Sequence, residues 1–280
     1  MKRYLLIILF TFFSFNLFSQ SLGVERLAHA KKSIVRILIQ GKPSGTGFVV
    51  SKAGQIITCW HVIDPAFILD SLNRRIGLRK IEAEFPDGET VELGIYNFLL
   101  QQGNREAVAY DYCFLQPLKT VSSSFEFLTL GTFEDINEGD QVYTIGYPLG
   151  IKQQFVSTGI LSTKWVDTAK FWTNNKPDSL VRKVAWLDLT MNKGNSGGPI
   201  IKIGSTPSED KVIGIATFIL NPFANDSQVL SVLSSRLQVD MELGGISQVK
   251  VNKLFADAIS NNSIGISGCI SIDHIKSILK

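Results

Sequence analysis

Short runs rich in isoleucine and valine constrain the fold of this chain most strongly. They recur from Ser33 to Ile219, and glycine, proline, serine or lysine residues separate them. Few helical patterns lie between these runs. The sequence therefore predicts an all-β fold, and periodicity alone does not choose between a sandwich and a barrel. The predicted strands are 33–39, 46–51, 55–59, 81–85, 90–96, 111–118, 140–147, 155–163, 182–189, 199–203, 211–219 and 264–270.

A few segments do not follow the strand pattern. Residues 24–32 are interpreted as a short helix or arm, and residues 251–260 have apolar side chains at helical spacing. The end of the chain, from Asp273, is predicted to be a helix. The turn signal at 86–89 predicts a hairpin between the strands on either side of it.

The first twenty residues have the layout of a secretory signal peptide. Lys2 and Arg3 precede an apolar run from Tyr4 to Phe13, and small or polar residues follow near Ser19. The rival interpretation is an uncleaved membrane anchor, but this run is shorter than the roughly 20 residues that a spanning helix needs. We predict a signal peptide at 1–20 and an exported protein, periplasmic or secreted, without a membrane span after cleavage.

Charge and cysteine content exclude several function classes. The 28 basic and 25 acidic residues give a net charge of +3, so nothing indicates nucleic acid as a partner. The three cysteines, Cys59, Cys113 and Cys269, allow at most one disulfide. No CxxC or HxxxH spacing is present, so a zinc site has little support and no cofactor is expected.

The motif GNSGGP at 194–199 is the most informative one. A serine hydroxyl is a weak nucleophile until a base takes its proton, and it needs hydrogen-bond donors for the oxyanion that forms on carbonyl attack. Glycine before Ser196 lets successive N–H groups point to one spot. The candidate oxyanion hole is the N–H of Gly194 and that of Ser196, with Asn195 between them. The alternative interpretation is an ordinary glycine–serine turn.

His61 is the candidate base. Of the three histidines, His29 lies in the N-terminal arm, His274 lies in the last predicted helix, and only His61 directly follows a strand-like run. An imidazole accepts and returns a proton near neutral pH.

Asp111 is the candidate acid because it leads into an apolar strand, where a carboxylate is costly to bury without a partner. A histidine ring N–H would be that partner and would fix the tautomer that a base needs. Asp188 also lies in an apolar strand and is the main rival. The other acids between His61 and Ser196 that we considered lie in more loop-like surroundings: Asp64, Asp70 and Asp87.

In this order, His61, Asp111 and Ser196 resemble the catalytic triad of chymotrypsin-type, or trypsin-like, serine proteases. The chain resembles the bacterial HtrA/DegP-like branch more closely, over about 30–220 and 263–280. The motifs that carry the resemblance are GTGFVV at 45–50, ITCWHV at 57–62, DYCFL at 111–115, IGYPLG at 145–150, STGILS at 157–162, the stretch 187–199 and VIGIAT at 212–217.

The resemblance implies two six-stranded antiparallel β-barrels with the site in the cleft between them, and a short C-terminal helix. The first barrel is expected at about 32–120 and the second at about 121–280, with an insertion at 221–262. The chain ends where a PDZ domain begins in many HtrA proteins, so a protease domain without PDZ is expected. By the same resemblance, Asp188 has a structural place upstream of the serine.

The resemblance also implies a serine endopeptidase that works through an acyl-enzyme on exported or unfolded polypeptides, with an oligomer possible. Its substrate pocket is expected to have Thr190 and Met191 at the base and Thr217, Phe218 and Ile219 along the wall. None of these side chains is charged, so a small or medium apolar residue is expected there rather than lysine or arginine. The alternatives are a catalytically silent protease-fold scaffold and a chaperone-like envelope stress factor.

Overall fold

We describe the fold from a computed structural model of the chain. It describes residues 22–72, 74–96, 105–119, 125–173, 176–219, 242–243, 246–247 and 265–278. The predicted signal peptide and the predicted helix at 251–260 lie outside these ranges, as does the expected insertion at 221–262 apart from two dipeptides.

The first half of the chain forms a closed antiparallel barrel. Its strands follow one another as β1 (Ile34–Ile39), β2 (Lys42–Val49), β3 (Ile56–Thr58), β4 (Phe67–Leu69), β5 (Arg75–Leu78), β6 (Ile81–Glu84), β7 (Thr90–Ile95) and β8 (Cys113–Pro117). Six of them close in the order β1-β2-β3-β8-β7-β6, while β4 and β5 pair as a separate hairpin. Closure pairs every strand on both sides and leaves no open sheet edge.

The second half forms another closed six-stranded barrel. This half contains β9 (Gln141–Gly146), β10 (Phe155–Thr173), β11 (Lys176–Asp188), β12 (Pro199–Lys202), β13 (Lys211–Ile219), β14 (Glu242–Leu243), β15 (Ile246–Ser247) and β16 (Ile266–Ser271). Six of these strands close in the order β10-β11-β16-β13-β12-β9, while β14 and β15 pair as a separate two-stranded sheet. The prediction of two six-stranded antiparallel barrels is therefore confirmed.

Helices are short and lie outside the barrels. They are α1 (Val24–Lys32), α2 (Trp60–Ile63), α3 (Arg105–Ala109) and α4 (Asp273–Ile278). Single 3₁₀ turns occupy Asp64–Ala66, Phe133–Asp135, Pro148–Gly150 and Pro207–Glu209. Across the described ranges, no helix combines the length and the apolarity that crossing a bilayer requires.

The predicted strands form because their apolar side chains fill the barrels. Strand β7 shows the expected alternation, since Val91, Leu93 and Ile95 are buried while the side chains between them are not. Ile34, Phe48 and Ile57 belong to the first core cluster, and Leu187 and Ile213 belong to the second. Burial of these side chains stabilises each barrel by roughly 25 cal/mol per Å² of apolar surface.

Strands β10 and β11 are longer than the sequence predicts. Only 155–160 of β10 pair with β9, and only 184–188 of β11 pair with β16. The two strands nevertheless stay paired to Thr173 and Lys176, so 166–173 and 176–183 form a two-stranded arm beyond the barrel. Cross-strand contacts support this arm, including an ion pair between Asp167 and Arg182.

Candidate active site

His61 lies in α2, directly after strand β3. The residues on either side of it fix the helix. The Trp60 ring stacks on Phe67, with 5.4 Å between ring centroids, and the Ser44 hydroxyl donates a hydrogen bond to the Val62 carbonyl at 2.5 Å. Trp60 and Val62 are buried, whereas 48% of the His61 side chain is exposed, so the imidazole is accessible to solvent.

Asp111 makes two hydrogen bonds with His61. Its Oδ1 accepts the backbone N–H of His61 at 3.0 Å, and its Oδ2 lies 2.7 Å from His61 Nδ1. A carboxylate only accepts hydrogen bonds, so Nδ1 carries the ring proton and Nε2 is left as the acceptor. Both the position and the tautomer of the ring therefore depend on Asp111.

The backbone around Asp111 has an unusual conformation that aims the carboxylate. Asp111 has a φ of 50°, in the left-handed region that aspartate tolerates better than most residues. The β10–β11 arm braces the preceding segment, because Arg182 donates to the Ala109 carbonyl at 3.0 Å and the Tyr110 hydroxyl donates to the Val181 carbonyl at 3.1 Å.

The rival acids lie elsewhere. Asp188 is exposed at the end of β11, where its backbone pairs with Ile160 and Ile266. Asp70 pairs with Arg74. Asp64 begins a 3₁₀ turn and Asp87 accepts a hydrogen bond within its own turn. Within the described ranges, Asp111 is the only carboxylate hydrogen-bonded to His61.

The backbone at Ser196, between β11 and β12, contacts the first barrel. The Ser196 carbonyl accepts the N–H of Thr46 at 2.9 Å. The next residue, Gly197, donates its N–H to the Ala216 carbonyl at 2.8 Å, and that oxygen also accepts the Cys59 thiol at 3.3 Å. One carbonyl therefore joins the segment beside Ser196 to the segment beside His61.

The backbone of the 194–196 loop is held so that two amides are free. The Lys193 carbonyl accepts the Leu149 N–H at 2.6 Å, and the Gly194 carbonyl accepts the Thr46 hydroxyl at 2.7 Å. With both carbonyls engaged, the N–H groups of Gly194 and Ser196 have no hydrogen-bond partner among the described residues. Gly194 has a φ of 101°, which favours glycine.

Asn195 sits differently from its two neighbours. It is buried, and its own N–H donates to the Asn192 carbonyl at 3.0 Å, closing a turn. Its amide oxygen is buried without a hydrogen-bond partner in the described part of the chain. The two amides available to a ligand are therefore those of Gly194 and Ser196.

Three residues that hold this loop were not predicted from the sequence. Thr46 bonds Gly194 as described and also accepts the Tyr147 N–H at 3.0 Å. Arg36 donates to the Gly150 carbonyl at 3.0 Å and forms an ion pair with Glu84. Leu149, with a φ of 57°, lies in the turn between these contacts. A charged residue within the apolar run IVRILI is the signal that could have indicated Arg36.

Cys59 lies behind the His61–Asp111 pair. Its thiol is fully buried and lies 3.8 Å from the Thr217 hydroxyl. Burial, and then the negative charge of Asp111, raise the pKa of this thiol well above its ordinary value. The thiol therefore stays protonated.

Cys59, His61 and Asp111 form the one group of three metal-ligating side chains within the described ranges. Their ligand atoms lie within 4.8 Å of one another. A zinc ion about 2.0–2.2 Å from both nitrogen and oxygen would have to replace the His61–Asp111 hydrogen bond. The geometry thus favours a proton between these two groups.

The residues predicted to form the substrate pocket differ in their burial. Thr190 is exposed, whereas Met191 is buried within the core cluster of the second barrel. Thr217 lies beside Cys59. Phe218 and Ile219 belong to β13 and pair with Gly268 and Ser267 of β16, and their side chains lie outside the description. The pocket stays a prediction.

Comparison with known families agrees with this geometry. A family model described as "Trypsin-like peptidase domain" matches residues 45–215, which is more than half of the chain and includes all three residues of the candidate site. The chain belongs to this family. The trypsin-like peptidase domain found here begins within β2 and ends within β13.

Relatives of this trypsin-like peptidase domain protein include HtrA-type proteases. A probable periplasmic serine endoprotease DegP-like from Rickettsia prowazekii is 28% identical over 78% of this chain and 36% of the relative. Serine protease HTRA3 from Rattus norvegicus is 29% identical over 62% of this chain and 32% of the relative. The chain spans about a third of the length of these two relatives.

A solved structure supports the double-barrel fold. The HtrA-type protease AlgW with a tripeptide superposes with a TM-score of 0.54 and 19% identity, covering 91% of this chain and 61% of that one. At this identity the likeness concerns the fold alone.

Proposed function

We propose that this chain is a serine endopeptidase that hydrolyses peptide bonds of exported or unfolded proteins through an acyl-enzyme. The observation that carries the proposal is the pair of hydrogen bonds from His61 to Asp111, beside a serine loop with two free amides. In this assignment His61 is the base, Asp111 orients it, and Ser196 is the nucleophile.

In the first half of the reaction, the neutral Nε2 of His61 takes the proton of Ser196 Oγ as that oxygen attacks the substrate carbonyl carbon. The carbonyl oxygen becomes an oxyanion and accepts the N–H groups of Gly194 and Ser196. Removing one such donor from an oxyanion hole lowers kcat by about 10²–10³-fold. Asp111 stabilises the imidazolium that forms.

The intermediate then collapses. The C–N bond breaks, the imidazolium gives its proton to the leaving amine, and the acyl group stays on Ser196 Oγ. Water repeats the cycle: His61 takes one proton from it, the oxygen attacks the ester carbon, and Oγ leaves with the returned proton. The products are an amine and a carboxylic acid, and the enzyme is regenerated.

The substrate class and location rest on similarity. One relative is named a probable periplasmic serine endoprotease, and the N-terminal twenty residues have the layout of a signal peptide. We therefore propose export and a polypeptide substrate, with an uncharged side chain at the predicted pocket formed by Thr190, Met191 and 217–219.

The test compares the full chain with Ser196→Ala on reduced, carboxymethylated α-lactalbumin, an unfolded substrate. We expect the wild type to degrade it and the variant to leave it intact, with Ser205→Ala, a change at an exposed turn serine, as the matched control. Equal digestion by wild type and Ser196→Ala would remove the proposal. A folded wild type that binds the substrate without cutting it would favour the scaffold or chaperone-like alternatives.

A further inference from the structure

A cavity of about 470 Å³ lies between β2 and the 193–194 segment, and Gly194 forms part of its lining. Gly45 forms part of its wall. A methyl group on Gly45 would lie 2.6 Å from the Val62 side chain and 3.0 Å from the Ser196 carbonyl oxygen. The cavity thus borders the nucleophile loop close to Val62, the residue that follows His61.

This cavity is separate from the predicted side-chain pocket. Neither Thr190 nor Met191, nor any residue of β13, lines it. A substrate whose carbonyl oxygen meets the Gly194 amide and whose acyl half follows β13 would therefore place its leaving half here. A volume of this size matches the lower part of the range for small-ligand pockets, about 300–1,000 Å³, and has room for more than one side chain.

The charges around the cavity do not balance. Arg36 lines it, but the Arg36 side chain is only 7% exposed and pairs with Glu84. Lys193 also lines it, is exposed, and has no ion-pair partner among the described residues. Two carboxylates also act on Tyr147, another lining residue: burial raises the pKa of its phenol, and Glu84 and, more weakly, Asp87 add to that rise. Among the described lining residues, the charge without an ion-pair partner is the Lys193 ammonium.

We propose that this cavity binds a residue with a carboxylate side chain on the leaving-group side of the scissile bond, and that Lys193 is the residue that selects it. The inference rests on the proposed endopeptidase function and names a substrate preference for it. A partly exposed ion pair of this kind gives a preference of about 1.4- to fivefold in kcat/KM. Salt should reduce this preference, because the pair is open to solvent.

The test uses peptides built on a cleavage site mapped by mass spectrometry in digested α-lactalbumin. Three peptides share the acyl half and carry Glu, Gln or Lys at the second position after the scissile bond. We expect wild-type kcat/KM to fall in the order Glu, Gln, Lys. Lys193→Glu should reverse this order and Lys193→Gln should level it. Lys52→Glu, the same charge change at an exposed turn of the first barrel, should leave the order intact.

The outcomes separate the two proposals. A wild type that cleaves all three peptides equally, or a preference that Lys193→Glu leaves unchanged, overturns the inference while the endopeptidase stands. A wild type that cleaves neither α-lactalbumin nor the peptides overturns the proposed function and this inference with it.

Discussion

Replacing Asp111 by asparagine tests the His61–Asp111 contact with almost no change in shape. The carboxylate accepts two hydrogen bonds from His61, at 3.0 Å from the backbone N–H and at 2.7 Å from Nδ1. An asparagine has one accepting oxygen and one donating NH₂ group, so it satisfies only one of these two donors. The change therefore forces a choice between the backbone and the ring.

Each choice impairs the base. If the amide oxygen stays on the backbone N–H, the NH₂ group faces Nδ1, the ring proton moves to Nε2, and His61 can no longer take the Ser196 proton. If the amide is reversed, two N–H groups face each other at the His61 backbone, which costs about 1–3 kcal/mol. We expect kcat to fall about 10⁴-fold, equal to about 5 kcal/mol of transition-state stabilisation.

The assay is steady-state hydrolysis of a peptide from the mapped cleavage site, with thermal unfolding measured alongside. Asp188→Asn is the matched control, because that carboxylate is exposed and Asp188 pairs with Ile160 of β10, not with His61. Its kcat should stay close to that of the wild type. An Asp111→Asn enzyme that folds normally and keeps kcat within tenfold of the wild type would refute the reasoning.

Three further predictions follow from the contacts around the site. Thr46→Val removes the hydroxyl that holds Gly194, so kcat should fall about 10–100-fold. Thr46→Ser keeps the hydroxyl and should keep kcat close to that of the wild type. Equal kcat values for Thr46→Val and the wild type would contradict this role of Thr46. Arg36→Met leaves Glu84 unpaired, which costs about 3–5 kcal/mol in chemical denaturation. The double variant Arg36→Met/Glu84→Met should recover stability but not kcat, and full recovery of kcat would show that the turn at 148–150 needs no support from Arg36. Burial raises the pKa of all three thiols, and that of Cys269 reaches about 12. Native protein at pH 8 should therefore resist iodoacetamide, while denatured protein should react at three sites; rapid native labelling would contradict the burial of Cys59, Cys113 and Cys269.

The barrels could be predicted from the sequence because the pattern of apolar residues in each strand indicates which of its side chains are buried. Alternating burial in TVELGI and continuous burial in IVRILI both appear as local patterns of apolar residues. The β10–β11 arm could not be predicted from the sequence, because its strands are supported by cross-strand pairs such as Asp167–Arg182 rather than by a core. The short helices α2 and α3 are likewise too brief to show a periodic pattern.

The candidate site likewise contains residues that the sequence reveals and residues that it does not. His61, Asp111 and Ser196 are recognisable because each sits at the end of a strand-like run or in a glycine-rich turn. Thr46 and Arg36, which hold the loop at Gly194, are not recognisable in the sequence. Each donates to a backbone carbonyl more than a hundred residues away in the chain. Only the unusual presence of a polar or charged side chain in a buried strand indicates that such a partner exists.

Covalent labelling tests the central claim most directly. The wild type, Ser196→Ala and His61→Ala are treated with a fluorophosphonate probe, and the labelled peptides are identified by mass spectrometry. The account predicts one adduct, on Ser196, in the wild type, none in Ser196→Ala, and a greatly slowed reaction in His61→Ala because the hydroxyl has lost its base. An adduct on another residue, or equal labelling rates with and without His61, would contradict it.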